Sequence, residues 1–379
     1  MTMQVQHIDN EQQFAALEGD WSRAYARDPN AEVFVSWQWL DSWLRISPRR
    51  WFILAAREPE SGRFVAFLPL ATHVVSVKEI PLIRELHMAG KPFGPLTGFV
   101  ADPEHETSAL AAMGEYVRDE LAWDEFRLAD VIDPRVASFL ASFASPRFEV
   151  QREEPLCCPY LPLPASWDDY LRDSLSHKGR SNLRRSLRQL EALEGFRTTQ
   201  PTAATIDEEI QTLLTLWESR WGEASDLTRG EYRHMYREAF EGGRLFMRTL
   251  WVHETPIASL AAFVDPVKRT VSYYTSGFDA EFARYSPGKA IVGHSIRDAI
   301  AEKFDTFDFL VGGHEYKLGF FGAKERYATT AVVSRKSLHR TMGRALLAVR
   351  ARASGLWRSS RPGPSAASNN DDVDEVSRC

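Results

Sequence analysis

Residues 270–321 constrain the fold more than any other stretch of the chain, because their structural signals change at short intervals: TVSYYTSGFDAEFARYSPGKAIVGHSIRDAIAEKFDTFDFLVGGHEYKLGFF. Residues 270–277 are β-branched and aromatic without a helix former, which predicts a strand. Residues 290–303 place Ile291, Ile296, Ala299 and Ile300 at helical spacing, and a second strand, a turn and a short helix follow. The chemistry is expected at the two turns. In YSPGKA, Ser286 suits an N-cap. Pro287 suits the first helical position, where its missing N–H has no partner anyway, and Gly288 lets the backbone approach a ligand. A helix opened this way offers N–H groups to an anion. Tyr285, Ser286, Pro287, Gly288, Lys289 and Ala290 therefore form a candidate cradle for the phosphates of a nucleotide-bearing cofactor.

The layout recurs. Residues 51–57 and 63–75 are β-rich runs joined by a turn signal, as are 245–253 and 257–264, and residues 126–130 echo 307–310 after a helix. With 379 residues, the length of two domains, the chain reads as α/β (α+β) with two related halves, each a mixed sheet flanked by helices. The halves differ in chemistry: where the second has YSPGKA leading into a helix, residues 89–96 of the first form a Pro- and Gly-rich loop. Only the second half is expected to hold a cofactor, and the first, a degenerate copy, walls the acceptor site. Prolines at 159, 162 and 164 mark a boundary. The expected domains are 1–155 and 156–335, with a strand at 325–333 closing the second. A basic amphipathic helix at 336–361 follows, then a polar, disordered tail at 362–379.

Two segments carry unbalanced charge. Residues 177–190 hold Lys178, Arg180, Arg184, Arg185 and Arg188 and no acid. Arg180, Arg184 and Arg188 stack on one helical face, where they repel unless an anion or acids elsewhere in the chain answer them. Residues 335–361 hold eight Lys or Arg and no acid, with an apolar stripe of Leu338, Met342, Leu346 and Val349. This helix either docks on a membrane surface or packs its apolar side on the domain and leaves its basic side in solvent.

The motifs resemble a known family. Strand, Q/R-x-x-G-x-G/A, helix, strand is the coenzyme A pyrophosphate-binding pattern of the GNAT acyltransferases. Tyr285-Ser286-Pro287-Gly288-Lys289-Ala290 resembles it at the Gly and the final small residue, and departs where Tyr285 replaces Gln or Arg. Tyr316-Lys317-Leu318-Gly319-Phe320 is similar to the Y-x-x-x-G-F segment after the fifth GNAT strand, one residue shorter. Together with Lys178-Gly179-Arg180-Ser181-Asn182-Leu183-Arg184-Arg185, the chain resembles the FemAB-like branch, in particular the set named for the cellulose-biosynthesis protein CelD, over roughly residues 30–335.

The resemblance implies two tandem GNAT-like domains and transfer of an acyl group from acyl-coenzyme A, acetyl or longer, to an amine. The amine would belong to a small molecule or an envelope or exopolysaccharide precursor. It implies that strands 271–277 and 307–311 splay to admit the pantetheine arm, with a backbone N–H of the first as oxyanion donor. Tyr316 would protonate the leaving thiolate, and Lys317 would contact an anionic acceptor or the cofactor. Asp308, His314, Glu315 and His294 are candidates for moving the amine proton, and Lys178, Arg180 and Arg184 for receiving the cofactor phosphates or an acidic acceptor. Two rivals stand beside this reading. One is an aminoacyl transferase using charged tRNA, as in peptidoglycan-bridge members, although the long coiled-coil insertion of several such proteins is missing. The other is a non-catalytic partner in polysaccharide assembly.

Other classes are excluded. A net charge of −6 argues against general coating of DNA. Three cysteines, two of them adjacent, have neither disulfide-framework nor metal-ligand spacing, and no metal is expected. There is no G-x-S-x-G elbow, and YSPGKA lacks the Lys-Ser/Thr ending of a P-loop. Without a leader pattern or an apolar run of membrane-spanning length, a cytoplasmic protein is expected, at most peripheral to the inner face of the membrane.

Overall fold

The computed structural model describes residues 3–47, 50–91 and 93–359. The chain forms two units, one built from Met1–Pro155 together with the chain from Ala328 onward, the other from Leu156–Tyr327. The first contains β1 (Gln4–Ile8), α1 (Glu11–Ala15), α2 (Glu18–Arg27), α3 (Trp37–Ile46), β2 (Arg50–Arg57), β3 (Phe64–Val77), β4 (Ile80–Met88), β5 (Val100–Ala101), α4 (Glu106–Asp119), β6 (Glu125–Val131), α5 (Val136–Ala141) and β7 (Phe148–Arg152). The second contains β8 (Leu156–Cys157), β9 (Tyr160–Pro162), α6 (Trp167–Asp169), α7 (His177–Glu191), β10 (Phe196–Thr199), α8 (Ile206–Trp221), α9 (Asp226–Glu241), β11 (Leu245–Val252), β12 (Thr255–Asp265), β13 (Thr270–Phe278), α10 (Pro287–Ala301) and β14 (Thr306–Asp308). β15 (Tyr327–Arg335) and α11 (Leu338–Ser359) return the chain to the first unit.

The repeated layout of the sequence is a repeated topology. In the first unit the hairpin β2–β3 leads to β4, which pairs in parallel with β6 at Glu85–His87 and Glu125–Arg127. In the second, β11–β12 leads to β13, which pairs in parallel with β14 at Thr270–Ser272 and Thr306–Asp308. The main strand paths are β1-β2-β3-β4-β6-β15-β7, with β5 on β3 and β8 on β15, and β10-β11-β12-β13-β14-β9. Both sheets carry helices over apolar faces. Phe126, Phe139, Phe143 and Trp123 centre the first core; Val271, Phe307, Phe309 and Ile291 centre the second. The halves differ as the sequence predicts: a single 3₁₀ turn, Ala280–Tyr285, separates β13 from α10, whereas a long loop holding β5 separates β4 from α4.

Two expectations are corrected. The strand assigned to the end of the second domain belongs to the first sheet. β15 runs antiparallel between β6 and β7, with Val333 opposite both Phe126 and Val150. Its aromatic and β-branched residues marked a strand, and Ala331 and Val333 fill the first core, but strand propensity does not name a partner strand. The second correction concerns α11, which is amphipathic as expected but oriented the other way. Its cations face inward: Arg340 Nε and Arg344 Nε donate to Oε1 of the buried Glu125 at 2.9 and 2.7 Å, and Arg344 also approaches Glu85. Gly343 sits where a Cβ would lie 2.6 Å from the Leu82 carbonyl, so the helix backbone rests directly on β4. A buried carboxylate must have a cationic partner, and that requirement turns the arginines inward and the apolar stripe outward. The tail at 362–379 lies outside the described residues.

Candidate functional site

β13 outlasts its parallel neighbour. Beyond Ser272 it continues to Phe278 with no strand on the β14 side, while its other edge stays paired with β12. The β12–β13 register slips at Tyr274, with Ala261 opposite Thr275 and Ala262 opposite Tyr273. The result, among the described residues, is a wedge in which the edge of β13 beyond Ser272 is not covered by β14, and an extended ligand bearing amides can pair there. Tyr273 and Tyr316 meet there: the Tyr273 hydroxyl lies 2.5 Å from Ser276 Oγ and is hydrogen-bonded to Tyr316. Burial pushes the Tyr273 phenol above its ordinary pKa, against those two hydrogen bonds, so at neutral pH it holds its proton. Tyr316 opens a π-helical turn, Tyr316–Phe320, and is half-buried with its ring edge-on to Phe321.

Two of the catalytic candidates are occupied elsewhere. Asp308 is fully buried, accepts the Leu310 N–H at 2.9 Å and pairs with Arg326. Lys317 is also buried, its Nζ donating to the Phe309 and Val311 carbonyls at 3.2 Å each. Both tie down the chain leaving β14, and neither is presented to an acceptor. Glu315 and His314 are exposed, the latter stacked at 6.0 Å from Tyr316. His294 is buried on α10 beside Phe196, and its Nδ1 meets Arg297 at 2.8 Å. Burial, then Arg297, lowers its pKa to about 4, so the imidazole is neutral at pH 7.

The loop before α10 departs from the sequence reading. Ser286 occupies the N-cap position in a left-handed conformation, φ 53° and ψ 52°, and its hydroxyl caps nothing. The Ser286 N–H bonds to the Ala283 carbonyl, and the Ser286 carbonyl accepts from the N–H groups of Lys289 and Ala290 at 3.0 and 3.1 Å. Pro287 has no donor. Of the first turn, that leaves the Gly288 N–H without a protein acceptor among the described residues. Gly288 has a further constraint that the sequence did not show: a Cβ would lie 2.9 Å from Phe278 Cδ1, so the ring beneath the helix leaves little room for a side chain. Tyr285 packs against the core with the Arg284 guanidinium 4.6 Å over its ring, and the exposed Lys289 places Nζ 4.8 Å from the centre of the Phe320 ring.

α7 begins at Ser176, whose Oγ accepts the Gly179 N–H at 3.1 Å, and buries Leu183, Leu187 and Leu190. On its outer side Lys178, Arg180, Arg184 and Arg185 have no acidic partner among the described residues, and Arg188 reaches only the Arg184 carbonyl. Among the described residues, the intramolecular salt bridges that could have answered these charges are absent. Instead Arg180, Arg184 and Arg188 line a groove of about 550 Å³ with Trp167, His177 and Arg297; Lys178 lies outside it. Glu191, also in the groove, pairs with Arg297 at 3.1 Å. Tyr273, Trp167 and Arg297 went unnoticed in the sequence. Tyr273 reads there only as a strand residue, Trp167 precedes α7 without a helical spacing that links them, and Arg297 lies more than a hundred positions beyond it.

Residues 177–318 match the model of the acetyltransferase (GNAT) domain. No curated protein matches the sequence. Among solved structures the chain is similar to FemX, with a TM-score of 0.60 and 12% identity over 86% of this chain and 96% of that one. It is also similar to the C-terminal domain of a putative lysylphosphatidylglycerol synthetase from Agrobacterium fabrum (TM-score 0.52, 13% identity, 84% and 92% covered). A tandem GNAT protein from the clavulanic acid biosynthesis pathway aligns with a TM-score of 0.51 and 11% identity, over 88% and 99% of the two chains. At these identities the likeness is one of fold: two GNAT-like domains in tandem.

Proposed function

We propose that this chain, whose residues 177–318 match the acetyltransferase (GNAT) domain model, transfers an acyl group from an acyl-coenzyme A thioester to the nitrogen of an amine acceptor. The observation that carries this reading is the wedge between β13 and β14, with Tyr273 and Tyr316 bonded to each other beside it. Coenzyme A fits these residues. Its pantetheine arm is extended and carries amides that match the edge of β13 that β14 leaves uncovered beyond Ser272, while its pyrophosphate would meet the Gly288 N–H, the positive end of α10 and the cations of Arg284 and Lys289.

In the reaction the amine nitrogen attacks the thioester carbonyl carbon. The C–N bond forms, the C–S bond breaks, the nitrogen gives up a proton and the thiolate gains one. Backbone N–H groups of the β13 edge beyond Ser272 stabilise the oxyanion. The Tyr316 hydroxyl, held by Tyr273, protonates the thiolate, and Glu315 is the exposed carboxylate available to the amine proton. The α7 groove receives an anionic group of the acceptor or of the cofactor. The resemblance to CelD-like proteins directs the search for the acceptor to amine-bearing envelope and polysaccharide precursors.

The uncompensated cations of α7 favour a second reading, transfer from a charged tRNA, since they suit a phosphate backbone. Thermal shift separates the two. A ligand at 100 times its Kd adds about 2.7 kcal/mol, so coenzyme A, acetyl-coenzyme A and longer acyl-coenzyme A species are each expected to raise Tm. No shift with any of them, and a shift with tRNA, would replace the first reading by the second.

A further inference from the structure

Among the described residues of the first unit, an apolar stripe is left uncovered. On α11, Leu338 is 82% exposed, Met342 63%, Leu346 54% and Val349 65%, and their spacing of four, four and three residues puts them on one face. Four of the ten large apolar side chains exposed among the described residues lie on this helix. Two more, Val74 and Ile80, flank the turn of the β3–β4 hairpin, and α11 packs on β4. The exposure is concentrated where scattered residues would have no meaning. Nor can the helix roll over to bury the stripe, because Arg340 and Arg344 would then leave the Glu125 carboxylate buried and unpaired.

Charge identifies what covers it. Residues 335–361 hold eight cations and no acid in a chain whose net charge is −6, so this segment is opposite in sign to the rest. Arg335, Arg340 and Arg344 have partners inside the unit; Lys336 is exposed, and the sequence further on adds Arg352, Arg358 and Arg361. Pairing with α11 of a second copy would bring two acid-free helices together. An anionic bilayer answers both features, offering a hydrocarbon layer to the stripe and negative headgroups to the cations. Among the described residues no helix is long and apolar enough to cross a membrane. We propose that α11 lies in the plane of an anionic lipid surface, with Leu338, Met342, Leu346 and Val349 in the acyl region and the segment's cations other than Arg335, Arg340 and Arg344 at the headgroups.

The test is co-sedimentation of the full chain with vesicles of phosphatidylcholine alone and of phosphatidylcholine mixed with phosphatidylglycerol. Binding is expected only to the anionic vesicles, and should weaken with salt. Met342→Gln combined with Leu346→Gln should lower the binding constant about tenfold or more, leaving the far-ultraviolet circular dichroism, Tm and turnover of a soluble substrate unchanged, since both positions are exposed. The proposal is overturned if the parent stays in the supernatant with anionic vesicles or if the double variant binds them equally well. It is also overturned if sedimentation velocity without lipid finds a dimer that the double variant dissolves, which would make a second copy the occupant.

Discussion

Replacing Ser286 with Asp sets two effects of opposite sign against each other at one position. Ser286 is held at φ 53°, a conformation that costs an ordinary residue roughly 1–2 kcal/mol and that Asp adopts more readily. A carboxylate there also faces the positive end of the fifteen-residue α10, a stabilisation of about 0.3–1 kcal/mol. The fold of Ser286→Asp should therefore gain about 0.5–1 kcal/mol. Coenzyme A binding should move the other way. A new negative charge about 5 Å from a phosphate, at an effective dielectric of about 40, costs about 1.7 kcal/mol per charge, so affinity should fall roughly 10- to 100-fold and recover partly in high salt. Ser286→Gly is the control: it removes the left-handed strain without adding charge, at the expense of a looser unfolded chain, so stability should stay within about 1 kcal/mol and affinity should hold. Thermal unfolding reports the first effect and titration calorimetry at two salt concentrations the second. If Ser286→Asp binds coenzyme A at low salt as tightly as Ser286→Gly, the end of α10 does not meet the anion and the docking argument fails.

Tyr316→Phe keeps the ring against Phe321 but removes the hydroxyl, so coenzyme A affinity should hold while thiol release slows by about 10²-fold; an unchanged rate removes Tyr316 from the chemistry. Arg180→Ala with Arg184→Ala should raise the apparent KM for the anionic ligand and flatten its salt dependence, with Tm unchanged or slightly higher because like charges are relieved; unchanged kinetics would return α7 to a solvated face. His294 predicts an acid-dependent loss of stability. The unfolded imidazole takes up a proton near pH 6.5 and the buried one only near 4, so stability should fall as pH drops across that window and level off below it, by at most about 3 kcal/mol. Urea titrations of His294→Gln should show a shallower fall, and equal slopes in parent and variant would refute the assignment.

What could be read in the sequence was local. The hairpins, β13, α10 and the helix α7 follow from periodicities and turn residues that lie within a few positions of one another, and the repeat of that layout revealed the tandem architecture. What escaped depends on distant partners. The inward turn of Arg340 and Arg344 is set by Glu125, more than two hundred positions away. Lys317 and Asp308 carried the right chemistry beside the right strand, yet two carbonyls and Arg326 engage them. Gly288 was recognised as special, but the ring of Phe278 against it is encoded by no motif.

The position of β15 bears on how the protein is made. During synthesis β1 to β7 emerge first, but the first sheet lacks the strand that joins β6 to β7 until the entire second unit has been translated. Until then both strands present open edges, the kind of surface that pairs with neighbouring chains, while the second unit already has every strand of its own sheet. The unit bearing the candidate site can thus mature before the one that begins the chain. A fragment ending at Tyr327 would lack the strand between β6 and β7, and should aggregate through the first unit even where the second has folded.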